Sequence, residues 1–321
     1  MKKLTVMTLC LCLLAGAFSG CAYAPKEAPD DTLRVVTTIF PVYDWTRNIL
    51  GSRENVELTL LLDNRVDLHS FQPTAEDIVK IAECDLFIYV GGESDDWVDD
   101  ALRETENENR IAVRLMDGLG GALKLEETVE GMQVDEAEDE EAAEYDEHIW
   151  LSLRNAAELC PMIASALGKA DPEHKDLYLE NSNAYCGKLH LLSTAYHAAV
   201  DNGYQDTLLF GDRFPFRYLV EDYGLNYYAA FSGCSAETEA SFETILFLAN
   251  KVNELGLTTI LALDGGDGEI ARTVRDTASA SGIVIRYLDS MQGTTVADAA
   301  AGMTYLSIME ENLNVLREAL K

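Results

Sequence analysis

Positive charge is scarce in this chain of 321 residues: 24 lysines and arginines face 56 aspartates and glutamates, for a net charge of -32. Nucleic acid and anionic bilayers are themselves negative, so neither is a partner for such a surface, whereas cations are attracted to it. Cysteine is sparse too. Beyond Cys21 the chain holds only Cys84, Cys160, Cys186 and Cys234, with no Cys-x-x-Cys pair and so no sign of a zinc ribbon or a redox dithiol. These four read as small buried hydrophobes, with disulfides left open outside the cytoplasm. The catalytic signatures are missing as well: there is no His-Glu-x-x-His helix and no Gly-x-Ser-x-Gly elbow. The one glycine-rich turn, Asp264-Gly265-Gly266-Asp267-Gly268, lacks the lysine of a phosphate loop and reads as a strand end. After the N-terminal segment no apolar run is long enough to cross a bilayer.

What is present begins with an export signal over residues 1–20, in which Lys2 and Lys3 precede an apolar run from Leu4 to Phe18. The following Ser19-Gly20-Cys21 resembles a bacterial lipobox. Cleavage before Cys21 and acylation of its thiol would leave the domain anchored to the outer face of the cell membrane, with residues 21–32, carrying Pro25 and Pro29, as a tether.

The remaining length, at about 150 residues per domain, suggests two lobes. Strand-like runs at Leu33 to Ile39, Val56 to Leu62, Leu86 to Val90, Thr207 to Phe210, Asn226 to Phe231, Thr259 to Leu263 and Ile283 to Leu288 alternate with helical stretches. That alternation is the pattern of parallel sheets covered by helices, so the fold class is α/β. Thr74, with Asp77 three residues on, should cap a helix whose apolar face carries Ile78, Ile81 and Ala82. Ser290 onward, through Val296, Ala299, Met303, Leu306 and Met309, reads as a polar turn and one final amphipathic helix. Asp171-Pro172 starts a helix and Asp201-Asn202-Gly203 stops it. A helix of about 30 residues spans roughly 45 Å and can run along both lobes. The expected division is an N-terminal lobe over 33–168, a linking helix over 169–203 and a C-terminal lobe over 204–321. His174, His190 and His197 lie on the linking helix and read as surface or packing residues. Within the first lobe an acidic loop over 131–147 is densest from Asp135 to Glu147. Such a run cannot bury apolar surface and should be a mobile segment, either merely solvated or gathering cations.

Two histidines are left in polar segments at strand or helix ends: His69, in Asp67-Leu68-His69-Ser70-Phe71-Gln72-Pro73-Thr74, and His148, in Asp146-Glu147-His148-Ile149-Trp150. They look like two halves of one metal site. The first segment resembles the His-Ser-Phe-x-Pro-Thr signature of the metal-binding receptors of ABC importers for zinc and manganese. Further motifs in the same order extend the resemblance over nearly the whole mature chain: Val35-Val36-Thr37-Thr38-Ile39-Phe40-Pro41, Asp85-Leu86-Phe87-Ile88-Tyr89-Val90-Gly91-Gly92, and Phe216-Arg217-Tyr218-Leu219-Val220-Glu221-Asp222-Tyr223-Gly224-Leu225.

The resemblance implies two parallel-sheet lobes joined by a rigid helix, closing slightly on a divalent ion that is passed to a cognate ABC permease. It also implies a monomer that is no enzyme. Asp289, in Leu288-Asp289-Ser290, matches the family's aspartate ligand, although on its own it reads as a helix cap. The usual third ligand, histidine in zinc types and glutamate in manganese types, falls on Arg213, which has no lone pair to give. Asp212 is the expected replacement, with Glu237 or Glu239 as weaker candidates. The expected set is therefore His69, His148, Asp289 and Asp212 around zinc, with manganese as the alternative. An extracytoplasmic metallohydrolase and a surface adhesin are the competing readings.

Overall fold

The structure, a computed structural model, describes residues 32–65, 68–105, 107–133, 144–235 and 239–321. The export signal, Cys21 and the tether lie outside the described residues, as do most of the acidic loop and Glu237. Residues Leu33–Lys321 form one compact unit.

Two parallel four-stranded sheets organise it. The first contains β1 (Leu33–Thr37), β2 (Val56–Leu60), β3 (Leu86–Tyr89) and β4 (Ile111–Arg114), in the order β2-β1-β3-β4. Around it run α1 (Phe40–Leu50), α2 (Ala75–Glu83), α3 (Trp97–Glu104) and α4 (Leu153–Ala170). The second contains β5 (Thr207–Phe214), β6 (Asn226–Ser232), β7 (Thr259–Leu263) and β8 (Val284–Leu288), in the order β6-β5-β7-β8. Its helices are α6 (Arg217–Tyr223), α7 (Phe242–Leu255), α8 (Glu269–Thr277), α9 (Val296–Ala300) and α10 (Tyr305–Ala319), and α5 (Lys175–Asp201) lies between the two sets. The expected α/β class with two parallel sheets is what the chain adopts.

Helix α5 has 27 residues and buries Tyr178, Ser182, Tyr185, Leu189, Leu192 and Tyr196. Their alternating spacing of three and four keeps them in one stripe. The helix meets elements of both halves: Asn181 donates to the Ile49 carbonyl of α1 at 2.9 Å, and the Tyr196 hydroxyl donates to the Met309 carbonyl of α10 at 2.7 Å. A single apolar cluster accordingly runs from Val35 and Trp45 through Leu189 to Phe210 and Tyr305. A core continuous across both sheets resists wide opening, since close-packed interiors deform little.

Three sequence expectations are adjusted. The first strand stops at Thr37 because Phe40-Pro41 opens α1, proline being at home in a first helical turn. β4 escaped notice because Ile111-Ala112-Val113-Arg114 is short and follows a charged run. The expected final helix is two, α9 and α10. Gly302 breaks the path at φ +104, and Thr304 starts α10 with a capping box to Ser307. The capping box of Thr74 with Asp77 forms as expected.

Candidate metal centre

In open parallel sheets, ligands gather beyond the carboxyl ends of the strands. His69 sits in a short 3-10 turn, Leu68–Ser70, downstream of β2, and His148 precedes another, Ile149–Leu151, which leads into α4. Their rings stand 5.4 Å apart, centroid to centroid. The structure thus brings together two residues that lie far apart in the chain.

Each ring is oriented through Nδ1. That of His148 lies 3.0 Å from Asp146 Oδ1, which also accepts the His148 backbone N–H at 2.8 Å, a turn that fixes both ring and chain. That of His69 lies 2.9 Å from Ser94 Oγ and 3.1 Å from Glu147 Oε1. Glu147 also accepts the Ser94 backbone N–H at 3.0 Å and the Ser94 hydroxyl. A carboxylate behind Nδ1 places the proton there and turns Nε2 outward as the basic, ligating nitrogen. His148 is completely buried, and its Nε2 has no hydrogen-bond partner among the described residues. A buried imidazole nitrogen without a partner costs free energy that a metal ion would return.

The electrostatics agree. Burial alone would push the Glu147 carboxyl up, but the hydrogen bond from His69 and the nearby charge of His148 hold it below the usual carboxylate range. Burial disfavours charge on His148, yet Asp146, Glu147 and Glu126 together leave its ring more basic than an ordinary histidine. Carboxylates therefore surround the imidazoles, a setting that welcomes a dication.

Part of the expected mobile acidic loop belongs to this site instead. Asp146 and Glu147 are 3% and 1% exposed, because their carboxylates are engaged by the two rings. The loop's base is closed by a bridge between Leu125 and Tyr145 and by the Glu126 N–H donating to the Glu144 carbonyl at 2.8 Å. Gly92 is required beneath it: a Cβ there would come within 2.0 Å of Glu147 Oε2.

The cluster that the two histidines form has Cys234 as its third member and includes neither expected aspartate. Asp212 occupies the irregularity where β5 slips against β6. Its oxygens accept the backbone N–H groups of Arg213 at 2.9 Å and Leu263 at 3.1 Å. Asp289 accepts the Met291 N–H at 2.6 Å and thereby shapes a turn in which Met291 holds φ +63. Asp212 is thus bonded to backbone through both carboxylate oxygens, and Asp289 through Oδ1. Glu239 is exposed and outside the cluster. His174 pairs with Asp171, and His197 packs edge-on to Tyr223, as packing residues do. Cys234, expected to be a small buried hydrophobe, is only partly buried and lies beside the histidines; the available signal was its place in Ser232-Gly233-Cys234, just past β6.

Comparison with known proteins bears on this geometry. A family model described as "Zinc-uptake complex component A periplasmic" matches residues 35–319. The zinc-binding lipoprotein AdcA of Streptococcus pneumoniae is 31% identical over 320 residues, which is 99% of this chain and 61% of that protein. The chain thus spans about three-fifths of the length of that relative. The high-affinity zinc uptake system protein ZnuA of Bacillus subtilis is 27% identical over 99% of this chain and 97% of its own length. The Zn(II)-bound ZnuA-like domain of S. pneumoniae AdcA superposes with a TM-score of 0.71 at 26% identity, covering 90% of this chain and 99% of that domain. With the match running from the first strand to the last helix, the chain belongs to the family of periplasmic zinc-uptake complex component A proteins.

Proposed function

We propose that this chain is an extracytoplasmic receptor that captures Zn2+ between its two lobes, 33–168 and 204–321 about the linking helix, and delivers it to an ABC permease. The observation that carries the reading is the pair of imidazoles held by carboxylates through Nδ1, one of them fully buried with a partnerless Nε2. Structural zinc is held by such oriented nitrogens, and a closed set of protein donors suits carriage of an ion more than catalysis on it. The family description and the zinc-named relatives support zinc over manganese. Cys21, acylated, would fasten the receptor to the membrane, and the intact mass of the mature chain recovered from membranes would include the acyl groups.

Binding to the folded state alone stabilises it by mass action, by about 2.7 kcal/mol at a free-ion concentration one hundred times the dissociation constant. For a chain of this size that corresponds to a rise in Tm of about 4 °C. Thermal unfolding of chelator-treated protein against a panel of divalent ions should show the largest rise with zinc. No shift with any divalent ion would remove the receptor reading.

A further inference from the structure

Among the described residues, the donor atoms of His69, His148 and Cys234 lie within 4.8 Å of one another. Donors bound tetrahedrally at about 2.0–2.3 Å are separated by roughly 3.3–3.8 Å, so small side-chain movements close this set on one ion. A cysteine near a histidine could be an accident of packing, but three independent features of the site argue otherwise.

The first is His148, completely buried with a partnerless Nε2, as described above. The second is Gly233, whose missing side chain lets the chain press against that ring: a Cβ at this position would stand 2.9 Å from His148 Cε1 and 3.0 Å from the Phe214 carbonyl. That close approach presses the Gly233-Cys234 segment against the imidazole. The third is Arg213, whose guanidinium reaches the Ser235 carbonyl at 3.5 Å. The residue at the position of the family's third ligand therefore steadies the segment that carries Cys234. Glu126 adds a further buried polar atom, its Oε1 having no partner among the described residues.

We propose that Cys234 is the third protein donor of this site, a thiolate in place of the imidazole that Arg213 cannot supply, and that it selects thiophilic ions, zinc and cadmium, against manganese. The proposal rests on the reading of the chain as a divalent-metal receptor. On binding, the S–H bond breaks, its proton passes to bulk water, and a sulfur–metal bond forms; no oxidant takes part. Soft thiolate favours zinc and cadmium, whereas manganese seeks hard oxygen donors in larger number.

The test is Co2+ loading of the full chain, followed by absorption spectroscopy, with the Cys234→Ser and Cys234→His variants alongside. Wild type should show a thiolate-to-cobalt charge-transfer band together with the visible ligand-field bands. Cys234→Ser should keep ligand-field bands from the two imidazoles, lose the charge-transfer band, and bind zinc about 100-fold more weakly. Cys234→His should recover zinc affinity without the charge-transfer band. In unaltered protein, zinc should slow alkylation of Cys234, read by peptide mass spectrometry, and leave Cys186 unprotected, a result that does not depend on any variant folding. Stoichiometric cobalt binding with no charge-transfer band in wild type, or equal alkylation of Cys234 with and without zinc, would overturn the thiolate ligand while leaving the receptor reading intact. A wild-type chain that binds neither cobalt nor zinc would overturn both.

Discussion

Replacing His69 or His148 by alanine is expected to weaken zinc binding by about 100- to 1,000-fold, since each imidazole supplies roughly a quarter of the coordination energy of a structural zinc site. Isothermal titration of chelator-treated protein measures it, and the double replacement should bind no zinc at the site. Glu147→Gln lies between wild type and these variants. It keeps a hydrogen-bonding group 3.1 Å from His69 Nδ1 but removes the carboxylate charge, for an expected loss of about 10- to 100-fold, the usual effect of altering a partner behind a ligand. The gradation separates coordination from general attraction by an acidic surface. If the chain's 56 acidic residues held the ion diffusely, removing one imidazole would change the affinity little.

Trp150→Ala is expected to carry the largest cost in stability, about 3–5 kcal/mol, because truncating a buried aromatic loses both transfer energy and packing around the void. Trp150 is 1% exposed and joins the halves. Its Nε1 donates to the Ser290 carbonyl at 2.9 Å, its own carbonyl accepts the Tyr305 hydroxyl at 2.7 Å, and its ring lies 5.2 Å from that of His148. The drop in Tm should be about 5–8 °C. Zinc affinity should fall with it, as His148 loses one wall. Trp150→Phe, which keeps most of the volume and gives up only the indole N–H, should cost about 1–3 kcal/mol for the unsatisfied Ser290 carbonyl. Equal Tm values for wild type and Trp150→Ala would show that the residue does not brace the site.

How far the sequence reaches depends on the range over which each feature is determined. The sheets were legible because alternating apolar runs and helix signals are local, and Thr74 with Asp77 needs only three residues of spacing. The pairing of His69 with His148 was legible because polar histidines at element ends have few structural uses, and the two rings do come together. For Asp212 and Asp289, spacing reveals neither the strand irregularity nor the turn around Met291 that sets how each carboxylate is held. Cys234 read as a small hydrophobe for the same reason: its proximity to His148 involves a glycine contact between segments more than 80 residues apart in sequence. Glu147 looked like one more charge in a solvated run. Its burial follows from the turn that Asp146 sets for His148, which turns the neighbouring carboxylate toward His69.

Anomalous diffraction at the zinc absorption edge, from crystals of the zinc-loaded protein, addresses the central claim most directly. The account predicts one strong peak within about 2.0–2.3 Å of the Nε2 atoms of both His69 and His148. A peak beside Asp212 or Asp289 and away from both rings, or zinc scattered along the acidic surface with none between the imidazoles, would contradict it.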